Sequence, residues 1–162
     1  MRRRLVVAAV AALAAGCGFE LRRPTELRFR TIALSGFAPR SLLADELRRA
    51  MNATASTIVV ESPAGAQGVL QAISDGLERS VVASTAAGQV REVQLRARLE
   101  FALRTSGGRE LIAPTQILLS RDMSYSEAAA LAKEQEEQLL YRAMRSDIVA
   151  QVMRRLAAVP TV

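Results

Sequence analysis

The chain has no histidine and no tryptophan, one cysteine, and only 4% aromatic residues. Histidine is the side chain whose ordinary pKa places its proton exchange near neutral pH, so the usual proton shuttle is missing. Ser/His and Cys/His nucleophile pairs and histidine-based metal sites go with it. A lone cysteine cannot close an internal disulfide, so the fold must hold by packing alone. With so few aromatics there is little to stack on bases, and nucleic acid is a poor partner. Lysine is nearly absent as well: 21 of the 22 basic residues are arginine, and the exception is Lys133. No apolar run reaches the roughly 20 residues that a helical membrane span needs; the one near the start, residues 5–15, has eleven.

That short run is informative through its neighbours. Met1-Arg2-Arg3-Arg4 precedes eleven Leu, Val and Ala residues, and Gly16-Cys17 follows them. A basic start and a short apolar stretch ending in small residues have the form of a secretory signal peptide. The sole cysteine stands at the boundary, where its thiol is the one group that can be alkylated. We therefore expect residues 1–16 to be a lipoprotein signal peptide and 17–26 a lipidated tether from Cys17, carrying Arg22, Arg23 and Pro24. Residues 27–158 are expected to form a single folded domain. The other reading is an ordinary signal peptide with a chance cysteine; Leu13 stands one place further from Cys17 than lipoprotein signals usually have it. Gly18, rather than Asp, after Cys17 resembles an outer-membrane address, so the expected place is the periplasmic face of that membrane, held by lipid. Removal of residues 1–16 leaves 19 basic and 16 acidic residues, a net charge of +3. Mild positive charge suits anionic partners without choosing one.

Hydrophobic periodicity predicts the elements. Leu27 to Ser35 reads as a strand, and Ser41 to Asn52 as a helix with Leu43, Leu47, Ala50 and Met51 on one face. Thr57 to Glu61 is a short β-branched strand, which makes a parallel strand–helix–strand crossover. Val69 to Thr85 reads as a long strand with Gly76 as its bulge. Val90 to Thr105 is the clearest element, because Val93, Leu95, Ala97, Leu99, Phe101 and Leu103 alternate with polar or small residues. Glu110 to Arg121 returns as a strand that Pro114 marks as an edge or bulged one. Ser124-Tyr125-Ser126-Glu127 fits a helix capping box. Helical spacing then runs to about Ala157, with Leu140, Met144, Ile148, Val152 and Leu156 stepping along one face. The expected fold is α/β (α+β): a two-layer sandwich, a mixed sheet of four to five strands packed by two helices, in the order β-α-β-β-β-β-α.

For chemistry, only carboxylates remain. Glu134, Glu136 and Glu137 cluster on the last helix, where a solvated face explains them, and no converging pair of acids is evident. Gly107-Gly108 is a turn, too short to cradle phosphate. No enzyme activity, cofactor or metal is expected; a binding or assembly role is.

Three local signals together resemble the lipopolysaccharide-assembly lipoprotein family LptE. Cys17-Gly18-Phe19-Glu20-Leu21-Arg22 is similar to that family's mature start. Leu119-Ser120-Arg121-Asp122-Met123-Ser124-Tyr125 leads into a helix in the same way. Ala130-Leu131-Ala132-Lys133-Glu134-Gln135-Glu136-Glu137 follows, then Tyr141-Arg142-Ala143-Met144-Arg145 and a closing Arg154-Arg155-Leu156. The resemblance implies a plug inside an LptD-like β-barrel partner, a part in the barrel's folding, and passage of lipopolysaccharide to the outer leaflet. It also implies lipopolysaccharide contact at Lys133, with Arg91 or Arg121 nearby, since the tip Thr85-Ala86-Ala87-Gly88-Gln89 lacks the family's base. Arg96, Arg98 and Arg104 on the wet face of the alternating strand suit a polar barrel lumen, and arginine forks match phosphate oxygens. The alternative for those arginines is the ordinary solvated face of an antiparallel strand. A stand-alone periplasmic lipoprotein that binds anionic glycolipid is the competing function.

Overall fold

The computed structural model describes residues 26–160. The signal peptide, Cys17 and all but the last residue of the tether lie outside the described residues. The sheet is built around strand β4, Val90–Thr105. Its alternation places Val93, Leu95, Ala97, Leu99, Phe101 and Leu103 in the core, each at most 1% exposed. Strand β3, Gly68–Ser84, and strand β5, Glu110–Ser124, flank it in antiparallel pairing. Strand β1, Thr31–Ser35, runs parallel both to β2, Ile58–Val60, and to the first residues of β3, so the order is β2-β1-β3-β4-β5.

Two helices cover one face. Helix α1, Leu42–Asn52, buries Leu43, Leu47 and Met51, and Ser41 caps it by accepting the Ala44 N–H at 3.2 Å. Helix α2, Ala130–Ala157, buries Met144, Ile148, Val149, Val152, Met153 and Leu156. Each large side chain so buried contributes roughly 1.5–3 kcal/mol, which is how a core without disulfides holds. The expected two-layer sandwich is the observed one.

Three local expectations are corrected. The first strand begins at Thr31, not Leu27. Leu27 and Phe29 are buried, but their carbonyls accept from the Ser56 and Thr57 hydroxyls at 3.0 and 2.6 Å, and side chains replace a ladder there. In β3 the bulges fall at Ile73 and Val82, while Gly76 stays in register opposite Arg98. The Ile73 bulge comes directly after β1 leaves the sheet, because the β1–β3 pairing ends at Ser35 and Gln71. The capping box does not form: Ser124 ends β5, and Ser126 precedes a 3-10 turn, Glu127–Ala129, with no side-chain cap bond. The Tyr125 N–H is taken by the Arg91 carbonyl at 2.8 Å, so the chain is still strand-like where a helix cap was expected. Pro114 fits both readings given for it. It lies on an edge strand, at the bulge where Phe101 pairs with Thr115 and Leu103 with Ile112.

Candidate functional site

Side chains on the sheet face away from the helices meet water. On β4 these are Gln94, Arg96, Arg98, Glu100 and Arg104, alternating with the buried set. Antiparallel register sets Glu78 beside Arg96 on β3 and Asp122 beside Gln94 on β5. Cross-strand neighbours interact directly in a sheet, and here they form a polar network. The Arg98 guanidinium lies 3.3 Å from a Glu78 carboxylate oxygen. Gln94 Nε2 donates to Asp122 at 2.9 Å, and Arg96 Nε donates to Gln94 Oε1 at 2.7 Å. Arg104 is exposed and, among the described residues, has no ion-pair partner.

Lys133 sits in the first turn of α2, its side chain 20% exposed, and donates to Glu136 at 2.8 Å and to Ser124 Oγ at 3.1 Å. Those two bonds hold the lysine over the end of β5. Arg91 is one residue away from that point through the Arg91–Tyr125 backbone bond, and its exposed side chain lines a cleft of about 280 Å³ with Ser126 and Glu127. The structure thus brings Lys133 and Arg91 to one end of the sheet. Arg121 it leaves apart, roughly 10 Å along the strand. Arg121 pairs with Asp147 of α2 at 3.4 Å, across the helix-covered side.

One cluster was missed in the sequence. Arg79 on β3 lies 5.4 Å from the centre of the Tyr125 ring and 3.1 Å from a Glu137 oxygen. The Tyr141 hydroxyl donates to the Glu78 carbonyl at 2.8 Å beside it. Burial raises the Tyr141 phenol above its ordinary pKa; Glu137 adds to this, Arg79 opposes it, and Glu78 adds again. The signal available was composition: the chain has only two tyrosines, and this cluster uses both. Among the described residues no helix is long and apolar enough to cross a membrane. No group of three or more His, Cys, Asp or Glu side chains there could hold a metal ion.

Comparisons with known proteins bear on the family and the fold. A family model described as LptE, lipopolysaccharide-assembly, matches residues 29–156. The LPS-assembly lipoprotein LptE of Pectobacterium atrosepticum is 27% identical over 98% of this chain and 88% of its own. The solution structure of an uncharacterized lipoprotein B from Nitrosomonas europaea superposes with a TM-score of 0.75 at 28% identity, covering 87% of this chain and 91% of that one. The crystal structure of the rare lipoprotein B from Shewanella oneidensis gives a TM-score of 0.65 at 27% identity, over 79% and 94% of the two chains. This chain belongs to the LptE family of lipopolysaccharide-assembly lipoproteins, a non-enzymatic family that serves lipopolysaccharide transport.

Proposed function

We propose that this protein is an outer-membrane lipoprotein that plugs and helps assemble an LptD-like β-barrel, through which lipopolysaccharide reaches the outer leaflet. Residues 1–16 are its signal peptide, Cys17 carries the acyl chains, residues 17–26 are the tether, and 27–158 are the plug domain. The observation that carries the reading is the hydrophilic sheet face opposite the helices. A barrel lumen is wet and polar, so an object seated in it needs a dry core of its own and a polar exterior. The Glu78–Arg98, Gln94–Asp122 and Gln94–Arg96 contacts supply that exterior while leaving Arg104 available to the lumen wall. Lys133 and Arg91 offer the lipopolysaccharide phosphates a cationic end, and Arg121 joins them only on release from Asp147.

Co-purification of the tagged protein from outer membranes, with mass identification of what comes with it, tests the proposal. One large β-barrel protein is the expected partner, and depletion of the lipoprotein should lower the amount of folded barrel. Recovery of the lipoprotein alone at normal expression would overturn the plug reading. If the lone protein then binds lipid A in a salt-sensitive way that Lys133→Glu abolishes, the stand-alone glycolipid-binding reading takes its place.

A further inference from the structure

Strand β1 passes into helix α1 through the turn 36–41. Leu43, Leu47 and Met51 of α1 enter the core, and Glu46 on one flank holds Arg145 of α2. Ala44, Asp45 and Arg48 share the other flank, as neighbours one helical turn apart. That flank, Arg40 of the turn, and Leu34 and Ser35 at the end of β1 line a cleft of about 240 Å³.

Three charged side chains line this cleft, and the fold leaves each of them with bonding capacity unused. Arg40 has φ +61°, the left-handed region that a residue with a side chain rarely adopts, and among the described residues it makes no ion pair or side-chain hydrogen bond. Strained backbone of this kind collects at ligand clamps. Asp45 also has no ion pair among the described residues, although Arg48 stands three places on, where helix pairs commonly form. The Nε of Arg48 is buried with no acceptor. Its Nη2 lies 3.8 Å from Glu61, whose side chain is 93% exposed. A buried donor without an acceptor is uncommon and calls for a partner. The Ser41 hydroxyl is already committed: it donates to Asp75 at 2.9 Å and accepts the Ala44 N–H at 3.2 Å. Both arginines belong to the helix layer, one in the turn into α1 and one on α1 itself, so the sheet does not separate them.

We propose that this cleft binds a phosphoethanolamine group, a phosphodiester joined by two carbons to a primary ammonium. The phosphate takes the Arg40 guanidinium and the Nε of Arg48, since arginine forks match phosphate oxygens. The ammonium takes Asp45. Two bases and one unpaired acid in a single lining fit a ligand carrying both charges better than a bare anion, which Asp45 repels. Leu34 and Ala44 meet the ethylene link. The volume lies below that of drug-sized ligand clefts, which leaves room for a head group and none for an acyl chain. No residue of the Lys133 and Arg91 end takes part, and the inference stands apart from the barrel and lipopolysaccharide readings.

The probe is glycerophosphoethanolamine, titrated by calorimetry at pH 7 and low salt into the full chain in a nonionic detergent. Saturable one-site binding is expected. Arg40→Asn, a residue that tolerates left-handed backbone, and Arg48→Gln should each weaken it at least fivefold. Arg109→Gln, in the exposed β4–β5 turn, should leave it unchanged. Should Arg48→Gln lower the melting temperature, Arg48→Lys is read instead; it keeps the charge but lacks the fork, and the same loss is expected. Glycerol 3-phosphate and glycerophosphocholine lack an ammonium N–H for Asp45 and should each bind wild type at least fivefold more weakly. Asp45→Asn should erase that preference. Phosphatidylethanolamine mixed into the detergent separates two sources of the same group. Loss of the heat identifies a lipid head group, and persistence of the heat identifies a soluble ester. Non-saturable heat, equal binding of the three probes by wild type, or wild-type affinity in a folded Arg40 or Arg48 variant would each overturn the proposal.

Discussion

The Tyr141 hydroxyl reaches from α2 to donate to the Glu78 backbone carbonyl, 2.8 Å away on the open edge of β3. An uncovered strand edge presents unpaired backbone groups and invites pairing with other chains. Here one acceptor of that edge is closed by a phenol, and Arg79, next to Glu78, is closed by Glu137.

Tyr141→Phe keeps the ring and removes the donor, so it should cost about 0.5–1.5 kcal/mol in urea unfolding at pH 7. The effect should depend on pH in one direction. Burial, then Glu137, hold the folded phenol above its ordinary value of 10.0. The fold therefore favours the neutral phenol, and the stability from Tyr141 is fully present below that ordinary value. It is lost as pH rises through the higher folded value. The gap between wild type and Tyr141→Phe should narrow in alkali; a gap that widens there would contradict the assignment.

Gly36→Ala should be severely destabilising. A Cβ at Gly36 would stand 2.2 Å from the Ala72 carbonyl oxygen, and the backbone already has φ +76°. Steric overlap and a left-handed backbone act in the same direction, at about 1–3 kcal/mol each. Gly88 isolates the second effect, since its φ is +79° but a Cβ there meets nothing within 4 Å. Gly88→Ala should cost only about 1 kcal/mol. Equal melting temperatures for the two variants would refute the crowding argument.

The Arg145–Glu46 pair ties the two helices together at 3.0 Å, with side chains 19% and 22% exposed. Glu46→Gln leaves a largely buried guanidinium without its counter-charge and should cost about 1–3 kcal/mol. Arg48–Glu61, at 3.8 Å with Glu61 93% exposed, is screened by water. Glu61→Gln should change stability by no more than about 1 kcal/mol. Chemical denaturation of the two variants side by side measures the contrast.

Lys133 must give up a 2.8 Å bond to Glu136 before it can serve a phosphate, whereas the exposed Arg91 side chain has no such bond among the described residues. If this end of the sheet meets lipid A, Arg91→Ala should weaken binding more than Lys133→Ala does. Glu136→Gln frees the lysine and should tighten binding roughly two- to fivefold, the size of an exposed ion pair. Surface-immobilised lipid A at low salt gives the readout, and weaker binding by Glu136→Gln would count against Lys133 as a ligand.

Periodicity made most of the elements legible. Strand β4 was read with its ends correct, because one buried and one wet face impose a two-residue repeat on every position. The buried face of α2 was likewise visible in the spacing from Leu140 to Leu156. Boundaries failed where a non-local bond decided them. The Thr57 hydroxyl takes the Phe29 carbonyl out of the ladder, and the Arg91 carbonyl keeps Tyr125 in strand form where its sequence reads as a helix cap.

The amino-acid order alone determined the layer architecture, the lack of histidine chemistry and the family, since these follow from composition and from repeats within one element. Tertiary structure alone decided that β3 has an open edge beside Gly36 and that Arg79, Tyr125 and Glu137 gather in one cluster. It also decided that Lys133 and Arg121 are already neutralised by Glu136 and Asp147. Most of those facts join residues distant in sequence, so they depend on where the chain turns back on itself. A local pattern carries no record of that path.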